Sequence, residues 1–400
     1  MPEEAHPNYY LDKLHDVRII RYFFFFLLGG GGAVGPFLNL FLARQGLDGV
    51  RIGWILALGS FITLLAAPFW TRIHSENRRP LFYLQFSLLL SALISLILAD
   101  QTAFLWLTLV YAIRVFFSAG HIPVADILAL QITEGTGQEY GSVRWWGSFG
   151  WAAIVLVTGW IIQQTSLKSA FYLYAFFMII VLFLLGQIRI PPIALPAANR
   201  GKTSGYLQLF GRIFRTPVLF GLSLMLLIIG VGNLGILQFE TLFLDQLGAK
   251  ESLIGIAGMV SSVVEIAGMP LADKLIRKKK PLFVLLISLA MNCFLRLLVY
   301  LFPSVFMIIL ARAAGGIAFS FYTVALIKCI SIHTEAAETG MVLMFLTIVI
   351  PSFINILFTP VAGYIYDTAG PHNLYLISVA GYLIGYFVLR FFRKATSQQA

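Results

Sequence analysis

The sequence predicts an all-helical membrane protein: twelve transmembrane helices in two six-helix bundles that are parallel copies of one another. Three observations carry this prediction. Only 12% of the 400 residues are charged while 59% are hydrophobic; a soluble domain has about 25% charged residues, so the apolar surplus needs lipid to cover it. The apolar stretches recur in blocks of about 20 residues, the length of helix that crosses roughly 30 Å of hydrocarbon. The second half of the chain also repeats the first in a nearly constant register.

In chain order the spans are expected at 19 to 43, 51 to 72, 80 to 99, 103 to 131, 142 to 164, 170 to 188, 217 to 244, 252 to 273, 281 to 301, 304 to 330, 340 to 364 and 372 to 391. The first is too long for the apolar core of a signal peptide and lacks a small-residue cleavage site, so it stays as the first helix. Pro36, Pro123, Pro351 and Pro360 lie within spans and predict kinks. The polar stretch 189 to 216, with Pro191, Pro192, Pro196 and five basic residues, divides the helices six and six. It is read as a cytoplasmic linker between an N-terminal bundle, 1 to 188, and a C-terminal bundle, 217 to 400.

The repeat emerges when the second half slides along the first. An offset of 202 pairs Leu-Phe-Leu at 40 to 42 with 242 to 244, Gly46 with Gly248, Gly53 with Gly255 and Pro68 with Pro270. At 201, R-P-L-F-Y-L-Q-F-S (79 to 87) meets K-P-L-F-V-L-L-I-S (280 to 288), and at 198 Arg114 meets Arg312. Six spans separate the copies, so both enter the membrane from the same side. Parallel repeats of this kind bind solute near the midplane between the halves and alternate its access.

A net charge of +10 on one soluble face would suggest nucleic acid, but the basic residues sort by loop instead. Counted from an inside N-terminus, 21 of the 28 Lys and Arg fall in inner segments and four, Arg44, Arg51, Lys168 and Lys250, in outer loops. Arg114, Arg296 and Arg312 lie within spans. The positive-inside rule then places both termini in the cytoplasm and the chain in the cell membrane. The expected partners are the lipid bilayer and a small-molecule substrate, with no nucleic acid and a monomeric carrier.

Catalytic chemistry has few residues to stand on. Cys293 and Cys329 both fall inside spans, which leaves no disulfide framework and no thiolate metal cluster. Walker, H-E-x-x-H and G-x-S-x-G motifs are missing from the loops. No enzyme activity, cofactor or metal is expected. The run Gly29 to Gly32, echoed by Gly230, Gly232 and Gly235, predicts close helix packing. Asn39, Gln85, Gln238, Asn292 and Asn355 either line a cavity or hydrogen-bond between helices, and the isolated His121 and His333 receive no role.

These residues resemble the major facilitator family. P-L-A-D-K-L-I-R-K-K-K at 270 to 280 is similar to the basic loop that follows helix 8 in that family, which makes Asp273 the acid that meets a neighbouring helix end in one state. The first-half copy, 68 to 79, has Ser75 or Glu76 in place of that acid. A narrower resemblance joins S-A-G-H-I-P-V-A-D (118 to 126) and Y-G-S-V-R-W-W-G-S-F-G-W (140 to 151) to helices 4 and 5 of the oligosaccharide:proton symporters and the related phenylpropionate and nucleoside permeases.

That resemblance implies a sugar site at Asp126, Arg144 and Trp151: a carboxylate and a guanidinium for hydroxyls, an indole face for the ring. Asp126 and Arg144 forming only a structural ion pair is the competing reading. Ionisable groups inside spans cost about 2.5 to 3.5 kcal/mol and need a reason. By the same resemblance Arg114 and Arg312 have coupling or gating roles, with pairing to a carboxylate as glue the competing reading, and Glu240 and Glu265 are proton carriers, although Gly315 and Ala318 replace the symporters' His and Glu. The expected function is secondary active, proton-coupled uptake of a sugar or glycoside. An aromatic acid or nucleoside permease and an uncoupled facilitator are the alternatives.

Overall fold

The computed structural model describes residues 7–76, 79–189, 211, 213 and 215–397. Fourteen helices run through them: α1 Pro7–Arg44, α2 Gly49–Glu76, α3 Pro80–Leu98, α4 Phe104–Ser118, α5 His121–Thr133, α6 Tyr140–Gln164, α7 Ser169–Leu185, α8 Pro217–Gln246, α9 Glu251–Lys278, α10 Pro281–Leu301, α11 Val305–Ile332, α12 Ala336–Met344, α13 Ile350–Ala369 and α14 Pro371–Ser397. Eleven apolar segments are long enough to cross a membrane, and Ser169–Leu185 is a shorter twelfth. Most of the expected linker, at 190–210, 212 and 214, lies outside the described residues. Side chains such as Leu105, Phe183 and Phe306 are exposed, as lipid-facing positions require.

Two spans are assembled from more than one helix, and proline explains both. Phe104–Thr133 comprises α4 and α5, which part at Ala119 and Gly120, just before Pro123 lacks an N–H to donate. Gly120 sits where a Cβ would collide with Trp70. Glu338–Ala369 contains a π-helical turn, Phe345–Val349, immediately ahead of Pro351; widening the ladder there absorbs the missing donor. Pro36 and Pro360 remain inside unbroken α1 and α13.

The chain divides into two compact units: Met1–Phe41, Phe61–Arg200 and Glu251–Gly255 form one, and Leu42–Ser60, Gly201–Lys250 and Ile256–Ala400 form the other. In the first, small residues let α1 and α6 touch. A Cβ on Gly150 would overlap the Phe25 carbonyl, and one on Gly32 would lie 2.9 Å from the Trp151 carbonyl oxygen. The second unit packs α8 on α14 in the same way, with the Cβ position of Gly232 2.9 Å from Gly381 Cα. Around that seam Leu222, Met225, Leu285, Leu289 and Leu346 are fully buried.

The internal repeat returns as repeated local structure. Gly46 closes α1 at φ +81° and Gly248 closes α8 at φ +80°, the left-handed conformation in which glycine is unstrained. The next residue completes the same cap in each copy: Leu47 N–H bonds Leu42 O at 3.4 Å and Ala249 N–H bonds Leu244 O at 2.9 Å. Pro68 and Pro270 both lie inside their helices, α2 and α9. At this corner of the second unit Arg44 pairs with Asp245 at 2.7 Å. Asp367, near the end of α13, accepts from the N–H of Gly49 at 2.7 Å and of Val50 at 3.0 Å, capping α2.

Candidate functional site

In the first unit α5 and α6 form an antiparallel hairpin around Gly135 and Gly137, whose φ values are +74° and +72°. The hairpin brings Asp126 and Arg144 together across 18 positions, with Arg144 Nε 3.5 Å from Asp126 Oδ1. Tyr140, one turn before Arg144 on α6, donates to the same Asp126 oxygen at 2.8 Å. The guanidinium also lies 5.6 Å from the Phe24 ring centroid. Asp126 and Arg144 remain about a third exposed, at 33% and 31%, so each keeps free hydrogen-bonding capacity. Trp151 stands two turns further along α6, half-buried against Gly32 of α1. A carboxylate, a phenol and a guanidinium thus meet at one point, with an indole about 10 Å along the same helix.

The second unit encloses a more buried cluster. Glu240 of α8 is 5% exposed; it forms an ion pair with Arg312 of α11 and accepts at 2.5 Å from the Tyr375 hydroxyl of α14. Arg296 of α10 lies near enough to act on Glu240 electrostatically and hydrogen-bonds Tyr382. Glu265 of α9 differs. It is half-buried, its backbone carbonyl accepts from Ser320 at 2.7 Å, and its carboxylate has no partner among the described residues. Gln238 donates to Asn355 at 3.0 Å, an α8–α13 contact, and Asn292 donates to Ser288 on its own helix. Asp273 is exposed on α9 and has neither ion pair nor hydrogen bond among the described residues.

Residues 17–377 match the model of the MFS_1 like family. The chain belongs to that family. It is therefore a major facilitator transporter and not an enzyme. Maltose permease of Geobacillus stearothermophilus is 28% identical over 251 residues, a match spanning 61% of each chain. The uncharacterized transporter YwbF of Bacillus subtilis strain 168 is 23% identical over 361 residues, 89% of each. The crystal structure of nucleoside transporter NupG superposes with a TM-score of 0.78 at 15% identity, covering 96% of this chain and 99% of that one.

In this major facilitator the fold joins Asp126 to Arg144 and Glu240 to Arg312, while Glu265, Asp273 and Trp151 stay outside both pairs. Two tyrosines that sequence reasoning passed over complete the pairs. Tyr140 was detectable, because it lies four positions from Arg144 and hence on the same helical face. Tyr375 was detectable through the repeat, standing 201 positions after Tyr174 with a leucine before each.

Proposed function

We propose that this transporter takes up a small polyhydroxylated solute, such as a glycoside, together with protons across the cell membrane, and that both its termini lie in the cytoplasm. The observation that carries this reading is the Asp126, Tyr140 and Arg144 cluster, joined yet about a third open. A pair serving only as structural glue gains from being closed off. An open pair offers acceptors on one side and fixed donors on the other, which is what a vicinal diol requires. Trp151 supplies the apolar face for a sugar ring. The likeness to a maltose permease supports the same solute class. For the proton, the unpaired Glu265 carboxylate is the carrier, since a group committed to no partner can bind and release a proton without breaking an ion pair. The halves 1 to 188 and 217 to 400 act as the moving bundles.

Substrate affinity and melting temperature, measured on the same purified variants with a panel of labelled sugars, nucleosides and aromatic acids, test the site. Asp126→Ala and Arg144→Ala are expected to weaken binding at least a hundredfold, about 2.7 kcal/mol, with folded protein retained. Tyr140→Phe removes one hydrogen bond to a charged acceptor and costs about 1.5 to 3 kcal/mol. Trp151→Ala weakens binding more than Trp151→Tyr. Unchanged affinity in folded Arg144→Ala protein ends the sugar-site reading.

A further inference from the structure

The two halves treat their repeated arginines differently. Arg312 has Glu240 as its counter-ion, and Tyr375 donates to the same carboxylate. In the first half the register replaces that acid: Leu38 stands 202 positions before Glu240, in the frame fixed by Leu-Phe-Leu at 40 to 42 and 242 to 244. Arg114, 198 positions before Arg312, keeps its charge. It is 8% exposed, and its Nε has no hydrogen-bond partner among the described residues. Among the described residues it has no ion pair; its close contact is the Tyr174 ring, whose centroid lies 4.3 Å from Cζ. The Tyr174 hydroxyl is directed elsewhere, to Ser91 Oγ at 3.1 Å. Tyr111 and His121 also lie within electrostatic reach and bring no negative charge. Ser95, 201 positions before Arg296, is fully buried, and its hydroxyl too lacks a partner among the described residues.

A guanidinium stays protonated at any physiological pH, so burial cannot neutralise it as it can a lysine or a carboxylate. A buried charge without a counter-ion is strongly disfavoured, and a π face compensates only part of that. The second half shows what this position accepts, namely one carboxylate held by an arginine and a second donor. We propose that Arg114 is a binding site for one small monovalent anion, which takes the place that the Glu240 carboxylate fills in the other half. At 8% exposure Arg114 is too enclosed to take a glycoside, so the anion is a small one. The carboxylate of a small acid has the same chemistry and is the second source to be distinguished. The inference does not rest on the sugar reading, because it concerns a residue outside the Asp126 cluster.

The test follows the melting temperature of the purified full chain as chloride replaces gluconate, an anion too bulky for the site, at constant ionic strength. Chloride at about a hundred times its Kd is expected to raise melting by roughly 3 °C, saturably. Arg114→Lys retains the response with weaker affinity, and Arg114→Gln loses it. Leu38→Glu supplies the missing carboxylate internally, melts higher than the unaltered protein in gluconate and no longer responds to chloride. Acetate and larger acids are titrated in parallel: acids that compete with chloride assign the site to a solute carboxylate, and acids without effect assign it to the free ion. A wild-type melting temperature indifferent to every anion overturns the proposal. So does an undiminished chloride response in Leu38→Glu, which decides the matter even where Arg114→Gln fails to fold.

Discussion

Glu240 and Glu265 are the same side chain inside apolar spans and are held in opposite ways. Removing the charge of Glu240 leaves Arg312, about a quarter exposed, without its partner inside the bundle, a loss that reaches about 3 to 5 kcal/mol where both charges are fully buried. Glu265→Gln breaks no ion pair. Glu240→Gln is therefore expected to lower melting temperature and yield sharply, whereas Glu265→Gln keeps a normal melting temperature, loses accumulation driven by a pH gradient and retains exchange. Reconstitution into liposomes with and without an imposed gradient measures both. Uphill uptake that survives in Glu265→Gln removes that residue from the proton path. The sequence placed the two acids together because each is one carboxylate in an apolar helix. What separates them is a partner 72 positions away for Glu240 and none among the described residues for Glu265, and no local pattern encodes such a contact.

At the scale of helices the glycines were more legible, since a run of four within one span has few uses beyond close approach. The structure adds which of them are needed. Gly29, Gly30 and Gly32 face Ile154, Met178 and Trp151, whereas Gly31 faces no atom within 4 Å. Gly150→Ala drives a methyl group into the Phe25 carbonyl and is expected to destabilise by about 1 to 3 kcal/mol, as overpacking does. Gly31→Ala adds a methyl group to open space and should leave melting unchanged or slightly higher. Equal melting temperatures for the two variants would remove the close-packed seam between α1 and α6. Gly32→Ala is the variant that also reaches function, because displacing Trp151 should weaken solute binding. The proline reading was legible only in part. Sequence marks every proline alike, and whether a helix breaks, widens or absorbs the residue depends on its neighbours.

For the whole molecule, hydropathy and duplication were sufficient to give twelve helical spans, because lipid permits so few solutions for a long apolar chain. The paired caps at Gly46 and Gly248 make that duplication visible in the backbone. Orientation is tested directly: a membrane-impermeant amine reagent followed by mass spectrometry is expected to label Lys278 only in inverted vesicles, and Lys168 and Lys250 only in right-side-out ones. Labelling of Lys278 from the outside overturns the inside placement of both termini. The Asp126 cluster was only half legible, since the hairpin that unites its members depends on glycine turns whose geometry sequence does not state.

The Asp367 cap on α2 carries a consequence for biosynthesis. Its carboxylate is bound by the Gly49 and Val50 amides, 318 and 317 positions earlier in the chain. At about 5 to 20 residues per second, those amides wait roughly 16 to 64 s after their own synthesis before the capping residue exists. During that interval α2 has only its local cap, Asp48 accepting from the Arg51 N–H at 2.7 Å, and its first two amides lack the carboxylate they bind in the finished protein. A chain that ends before Asp367 therefore holds the start of α2 by its local cap alone, and the long-range fastening of this corner is among the last contacts to form.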